Sequence, residues 1–183
     1  MVRERCSVSD PFVRPATEAD LPAVNAIFNH YVLHSTCIWE DAPETMAGRR
    51  AWFAAHDEAH PVIVLEESGE VVGWAALSAY NARAGWRHTV EDSVYLRQDR
   101  TGRGFGSRLL ADLLDRAARL GHHAVIAAVS ADQPASIRLH ARHGFVEVGR
   151  LREAGFKFGR WLDAVYLQKR LGAIDGLPLT PVS

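Results

Sequence analysis

The chain has 183 residues, 48% of them hydrophobic, with 21 Lys+Arg against 22 Asp+Glu for a formal net charge of -1. That is enough apolar material for the core of one domain, and the balanced charge excludes nucleic acid or an anionic membrane surface as the main partner. No apolar run approaches the roughly 20 residues of a membrane span, the start "MVRERCSVSD" lacks a secretory signal's apolar stretch, and the only cysteines, Cys6 and Cys37, are expected as reduced thiols, so a cytoplasmic setting is expected.

"FVRPAT" reads as a strand, and Thr17 with Asp20 then caps a first helix carrying Leu21, Val24, Ile27, Phe28 and Tyr31 at helical spacing. A second helix is predicted over "PETMAGRRAWFAAH", from Pro43 to His56. "PVIVLEE" and "EVVGWAALSAY" flank "SGE" and read as a hairpin; the loop "NARAGWR" leads to the strand "HTVEDSVYLR". "SRLLADLLDRAARLG" puts Leu109, Leu110, Leu113, Leu114 and Leu120 on one helical face and stops at Gly121. "HAVIAAVS" reads as a buried strand and "QPASIRLHARHG" as a short helix, while "FVEVGRL" and "WLDAVYLQKRL" read as the last strands, with "GFKFG" between them loop-like. One domain over residues 10–171 is expected, followed by a loosely held tail over 172–183. The order is mixed α/β and lacks the helices a doubly wound nucleotide fold needs between its strands.

The stretch "DRTGRGFGSRLL" holds glycine at 102, 104 and 106 and runs straight into a helix. It does not satisfy G-x-G-x-x-G, and the phosphate loop G-x-x-x-x-G-K-[ST] is absent. A strand, a glycine turn and a helix start expose backbone N–H groups and the positive end of a helix dipole, which suits a pyrophosphate, with Arg97, Arg100, Arg103 and Arg108 as neighbouring cations. The alternative is a tight turn beside a solvated arginine face.

"VYLRQDRTGRGFGSRLL" resembles the acetyl-coenzyme A signature of the GNAT acyltransferases, and "SIRLHARHGF" resembles the second coenzyme segment of that superfamily. With "TVEDSVY" and "GFKFGRWLD", the chain is similar to the phosphinothricin and methionine sulfoximine N-acetyltransferases from about Phe12 to Leu171. The resemblance implies a single-domain GNAT fold: a mixed, mostly antiparallel twisted sheet of about seven strands flanked by about four helices. It also implies acetyl-CoA as co-substrate with no metal, and a small amino-acid-like amine as acceptor. On this likeness the turn Gly102, Arg103, Gly104, Phe105, Gly106 and Ser107 would hold the pyrophosphate, and Gln133 and Ser136 the pantetheine arm. Two positions depart from the pattern: Thr101 replaces the usual Gln or Arg, and Gln133 replaces Asn. The methionine sulfoximine branch carries Arg where this chain has Asn81, whereas Ala82 and Arg83 match the phosphinothricin branch, which leaves the preferred acceptor open.

N-acetyl transfer needs a deprotonated amine, a polarised thioester carbonyl and a proton for the departing thiolate. Glu91 matches the family's proposed base, with an ion pair to Arg87 as its alternative reading; backbone N–H groups of Val94, Tyr95 and Leu96 would polarise the carbonyl. His140 stands where many members carry a tyrosine that protonates the thiolate. The resemblance further implies an acceptor pocket from Trp39, Tyr80, Asn81, Ala82, Arg83, Glu91, Asp92, Ser93 and Phe158, and a homodimer in which "GFKFGRWLD" helps complete the partner's pocket. "HDEAH" superficially resembles H-E-x-x-H, but it carries Asp in place of Glu and no third ligand, so no metal is expected at His56 and His60. The competing readings are a non-catalytic acyl-coenzyme A sensor, and an acetyltransferase for protein N-termini or aminoglycosides.

Overall fold

The computed structural model describes residues 10–172; Cys6 and the expected tail, apart from Gly172, lie outside the described residues. In chain order the elements are β1 (Phe12–Pro15), α1 (Leu21–His34), α2 (Met46–Ala54), β2 (Val62–Glu67), β3 (Glu70–Ala79), β4 (Thr89–Leu96), α3 (Phe105–Arg119), β5 (Ala124–Ser130), α4 (Pro134–Arg142), β6 (Val146–Lys157) and β7 (Arg160–Arg170). They build one seven-stranded sheet in the order β1-β2-β3-β4-β5-β7-β6. Short connections make β2, β3 and β4 antiparallel neighbours, and β6 pairs β7 the same way; α3 is the crossover that lets β4 and β5 lie parallel. The expected single-domain, mostly antiparallel GNAT arrangement is the one observed.

The continuous apolar run of β2 is explained by burial on both faces. Ile63 and Leu65 join Leu77, Val90 and the α3 stripe Leu109, Leu110, Leu113, Leu114 and Ala117, whereas Val62 and Val64 join Trp74, Val24 and Ile27 beneath α1. Leu120, expected on the α3 stripe, is 42% exposed because it lies past the last turn, and Ala117 completes the face instead.

Two other boundaries move. The second helix begins at Met46 and not at Pro43, because the Glu44 carbonyl accepts from both Asn25 and Asn29 of α1, leaving Thr45 to cap the Gly48 N–H at 3.0 Å. The loop-like "GFKFG" is strand and turn: β6 runs through Lys157, and Phe158 and Gly159 make a two-residue turn with φ of 51° and 75° into β7. Two register irregularities in β6, near Glu147 and Leu151, obscure its alternation in the sequence.

Candidate active site

β4 and β5 pair only from Thr89 to Glu91 against Ala124 to Ile126. Beyond that point β4 stays with β3 and β5 stays with β7, so the two strands part. The Tyr80 N–H donates to the Thr89 carbonyl and the Arg97 N–H to the Val72 carbonyl. Ladder bonds alternate, so Glu91, Ser93 and Tyr95 bond to β3; the Asp92 amide closes the last β4–β5 pairing, at Ile126, and the amides of Val94 and Leu96 turn into the opening with no strand to meet. Of the three expected amides, Val94 and Leu96 therefore face the gap and Tyr95 does not. The Tyr95 ring packs 4.8 Å from Trp74 on the α1–α2 face, and burial pushes its hydroxyl pKa up.

The opening is the mouth of a cleft of about 470 Å³ lined by Asp92 to Leu96, Ala127 to Ser130, the glycine turn and one side of α4. Gly102 and Gly104 sit at φ of +75° and +82°, a region where a side chain is strained, and nothing lies within 4 Å of where a Cβ would stand. Gly104 is the N-cap of α3, and no side chain caps that helix. Its first amides have no side-chain acceptor among the described residues, so turn and helix start form a cradle fitted to a phosphate group.

The cations around this cradle differ from expectation. Arg97 is held by Glu70 and Asp99, and Arg100 by Glu67 and Asp99. Arg103 places two nitrogens on the Glu67 carboxylate at 2.6 and 3.1 Å. Those three side chains brace the turn; Arg108 is exposed and has no ion pair among the described residues. Arg138 and Arg142 of α4 line the cleft, also without an ion pair among the described residues. Sequence reasoning missed them because their one signal was helical spacing away from an apolar face.

On β4 the side chains alternate between two layers. Val90, Asp92 and Val94 face α3 and α4, whereas Glu91, Ser93 and Tyr95 face α1 and α2. Glu91, the last β4 residue paired to β5, is half-buried and has no hydrogen-bond or ion-pair partner among the described residues. The expected alternative pairing with Arg87 is absent, since Arg87 is exposed and donates to the Ala84 carbonyl. Burial, reinforced by the neighbouring Asp92 charge, raises the Glu91 pKa above its ordinary range. Across the sheet, His140 is buried on α4 with Asp92 against its ring.

The remaining predicted residues are distributed more widely. Ser136 lines the cleft, and so does Gln133, whose amide donates to Thr36 at 2.8 Å. The segment bearing Thr36 and Cys37 is pinned by buried Lys157, which donates to the carbonyls of Val32 and Ile38. Trp39 is clamped against Gly155, where a Cβ would meet its ring at 2.4 Å. Tyr80, Asn81, Ala82 and Arg83 form the turn beyond β3; the Arg83 N–H donates to Asn81 and its side chain reaches solvent with no ion pair among the described residues. Phe158 does not wall the cleft of its own chain: it is 58% exposed at the tip of the β6–β7 turn. His56 spends its ring on the Trp52 carbonyl and Ser78.

The sequence matches the Acetyltransferase (GNAT) family over residues 24–145. The chain is 41% identical to an L-methionine sulfoximine/L-methionine sulfone acetyltransferase of Pseudomonas paraeruginosa over 168 residues, covering 91% of this chain and 98% of that one. It is 39% identical over 173 residues to a phosphinothricin N-acetyltransferase of Alcaligenes faecalis, covering 93% and 86% respectively. A Salmonella typhimurium acetyltransferase solved with its cofactor acetyl-CoA superposes with a TM-score of 0.88 at 38% identity, covering 94% of this chain and all of that one.

Proposed function

The chain belongs to the GNAT acetyltransferase family, an acetyl-CoA-dependent enzyme class, and from that premise we propose that it acetylates the α-amino group of a small amino-acid analogue such as methionine sulfoximine, methionine sulfone or phosphinothricin. The observation that carries this reading is Glu91, half-buried and without a partner among the described residues, at the point where β4 and β5 part, beside two amides that no described strand uses.

Acetyl-CoA supplies an acetyl group activated as a thioester. The amides of Gly102 to Ser107 and the arginines Arg138 and Arg142 would hold its phosphates, and Gln133 and Ser136 its pantetheine arm. The N–H groups of Val94 and Leu96 are placed to accept negative charge on a carbonyl oxygen in the gap. Glu91, with its raised pKa, takes a proton from the acceptor's ammonium, directly or through a water. Arg83 offers the acceptor's anionic end a charge-assisted contact. His140, buried at the cleft wall, serves the departing sulfur as the proton source.

We also propose a homodimer in which the β6–β7 turn reaches the partner's acceptor pocket. Phe156, Phe158 and Trp161 are more than half exposed there, an apolar patch that a second copy would cover. A monomeric mass by light scattering in a fully active sample would remove that part. No helix among the described residues is long and apolar enough to cross a membrane, and we place the enzyme in the cytoplasm, with its substrates. The whole reading is tested by mixing the protein with acetyl-CoA and each analogue: thiol release with N-acetylated product is expected, and coenzyme binding without turnover across the panel would overturn it.

A further inference from the structure

The ring of His140 is committed at both nitrogens. Nδ1 lies 2.8 Å from the Ser136 carbonyl oxygen, one helical turn back, and Nε2 lies 3.0 Å from Asp92 Oδ2. A carbonyl oxygen and a carboxylate oxygen are both acceptors, so each contact calls for a proton on the ring. Both side chains are buried, at 5% and 1% exposure; the His140 ring keeps an edge on the cleft wall, and Phe145 packs edge-on against it at 5.0 Å. The second carboxylate oxygen, Asp92 Oδ1, is buried with no partner among the described residues, which leaves His140 as the one group among them that compensates this carboxylate.

We propose that Asp92 is a positioning residue of the transfer reaction, holding His140 as an imidazolium in one fixed orientation before the coenzyme arrives. The sequence resemblance placed Asp92 among acceptor contacts, but its side chain points to the opposite layer from Glu91 and meets α4. Burial works against a charged ring more than any single contact favours it; the hydrogen bond and charge of Asp92 and the Ser136 carbonyl together outweigh it, and the balance favours the cation. The other titratable neighbours are His143, past the end of α4, whose pKa is lowered by burial, Lys169 and His140, and Glu91, the next residue on β4. Because the Asp92 charge also raises Glu91, one carboxylate tunes base and acid in the same direction.

The inference rests on the acetyl-transfer reading for its purpose, while the state of the ring can be measured without it. Nitrogen-15 NMR of the ligand-free protein at neutral pH is expected to show His140 protonated at both nitrogens, and singly protonated at Nδ1 in Asp92→Asn. In the same variant both limbs of the pH profile of kcat/KM should move to lower pH, the alkaline limb further. At pH 8 that means a loss of about tenfold for each unit the limb moves, with the KM for acetyl-CoA changed less than kcat. A neutral His140 ring in the unsubstituted protein would overturn the proposal whatever the variant does. So would a doubly protonated ring or an unmoved profile in a folded Asp92→Asn protein. A protein with the expected ring but no turnover on any amine would instead count against the acetyl-transfer reading.

Discussion

Two buried aspartates, each facing a cation, do opposite things with it. Asp20, at the start of α1, accepts from two guanidinium nitrogens of Arg14 and from the backbone and hydroxyl of Thr17, so both its oxygens are satisfied and its pKa falls to about 2. Asp92 spends one oxygen on His140 and leaves the other buried with no partner among the described residues. Near Asp92 the same economy recurs: Glu91 has no partner among the described residues, the Val94 and Leu96 amides meet no strand, and α3 begins with no side-chain cap. A corner that only holds the fold closes its hydrogen bonds; a corner built for a ligand leaves groups unspent at a cost in stability.

That contrast is sharpest at Glu91. Replacing it with glutamine should lower kcat about 10²–10⁴-fold while coenzyme affinity, read by calorimetry, stays within a few-fold. Its pKa is raised in the folded chain, so the charged form is disfavoured there and any stability cost grows as pH rises through the carboxylate range. Glu91→Gln should accordingly melt no lower than the parent at neutral pH, and a large drop in melting temperature would mean that the carboxylate is structural after all.

Asp20→Ala should behave in reverse, losing about 2–3 kcal/mol of stability, the worth of its depressed pKa, with kcat/KM essentially intact. Because the Asp20 pKa is depressed, its contribution is present above the ordinary aspartate range and disappears as pH falls from about 4 to about 2. Denaturant titrations of parent and variant should converge over that window; a constant gap would assign the stabilisation to something other than the Arg14 pair.

Gly104→Val tests the cradle directly. A β-branched residue at φ +82° is strained by about 1–2 kcal/mol, and its side chain would fill the open space above the turn. Coenzyme affinity should fall tenfold or more, and unchanged affinity in a folded variant would move the phosphate site elsewhere. The smallest effect is expected at Arg83, whose exposed side chain has no ion pair among the described residues. Arg83→Ala should raise the acceptor's KM by about tenfold with kcat nearly unchanged, as for a contact made equally in ground and transition states; a fall in kcat with KM unmoved would reassign it.

Local patterns carried most of the architecture into the sequence. Glycines at 102 and 104, followed at once by a leucine stripe, announced a turn of positive φ and a helix start, because both depend on residues within a few positions of each other. Thr17 and Asp20 marked the first helix for the same reason. The β6–β7 hairpin was harder to read, since two register irregularities break its alternation and a phenylalanine occupies a turn position where glycine or asparagine is usual.

The site was legible as a set of residues and illegible as a set of partners. The sequence by itself determined the order of elements and the glycine cradle, because periodicity and backbone conformation are short-range properties, and its likeness to the family pointed to Glu91. Only the tertiary structure decided that Glu67 takes up Arg100 and Arg103, that Arg138 and Arg142 face the cleft, that Val94 and Leu96 present amides where Tyr95 does not, and that Asp92 meets His140. The last of those contacts joins residues 48 positions apart, and it exists because α3 carries the chain across the sheet so that β5 and α4 return beside β4.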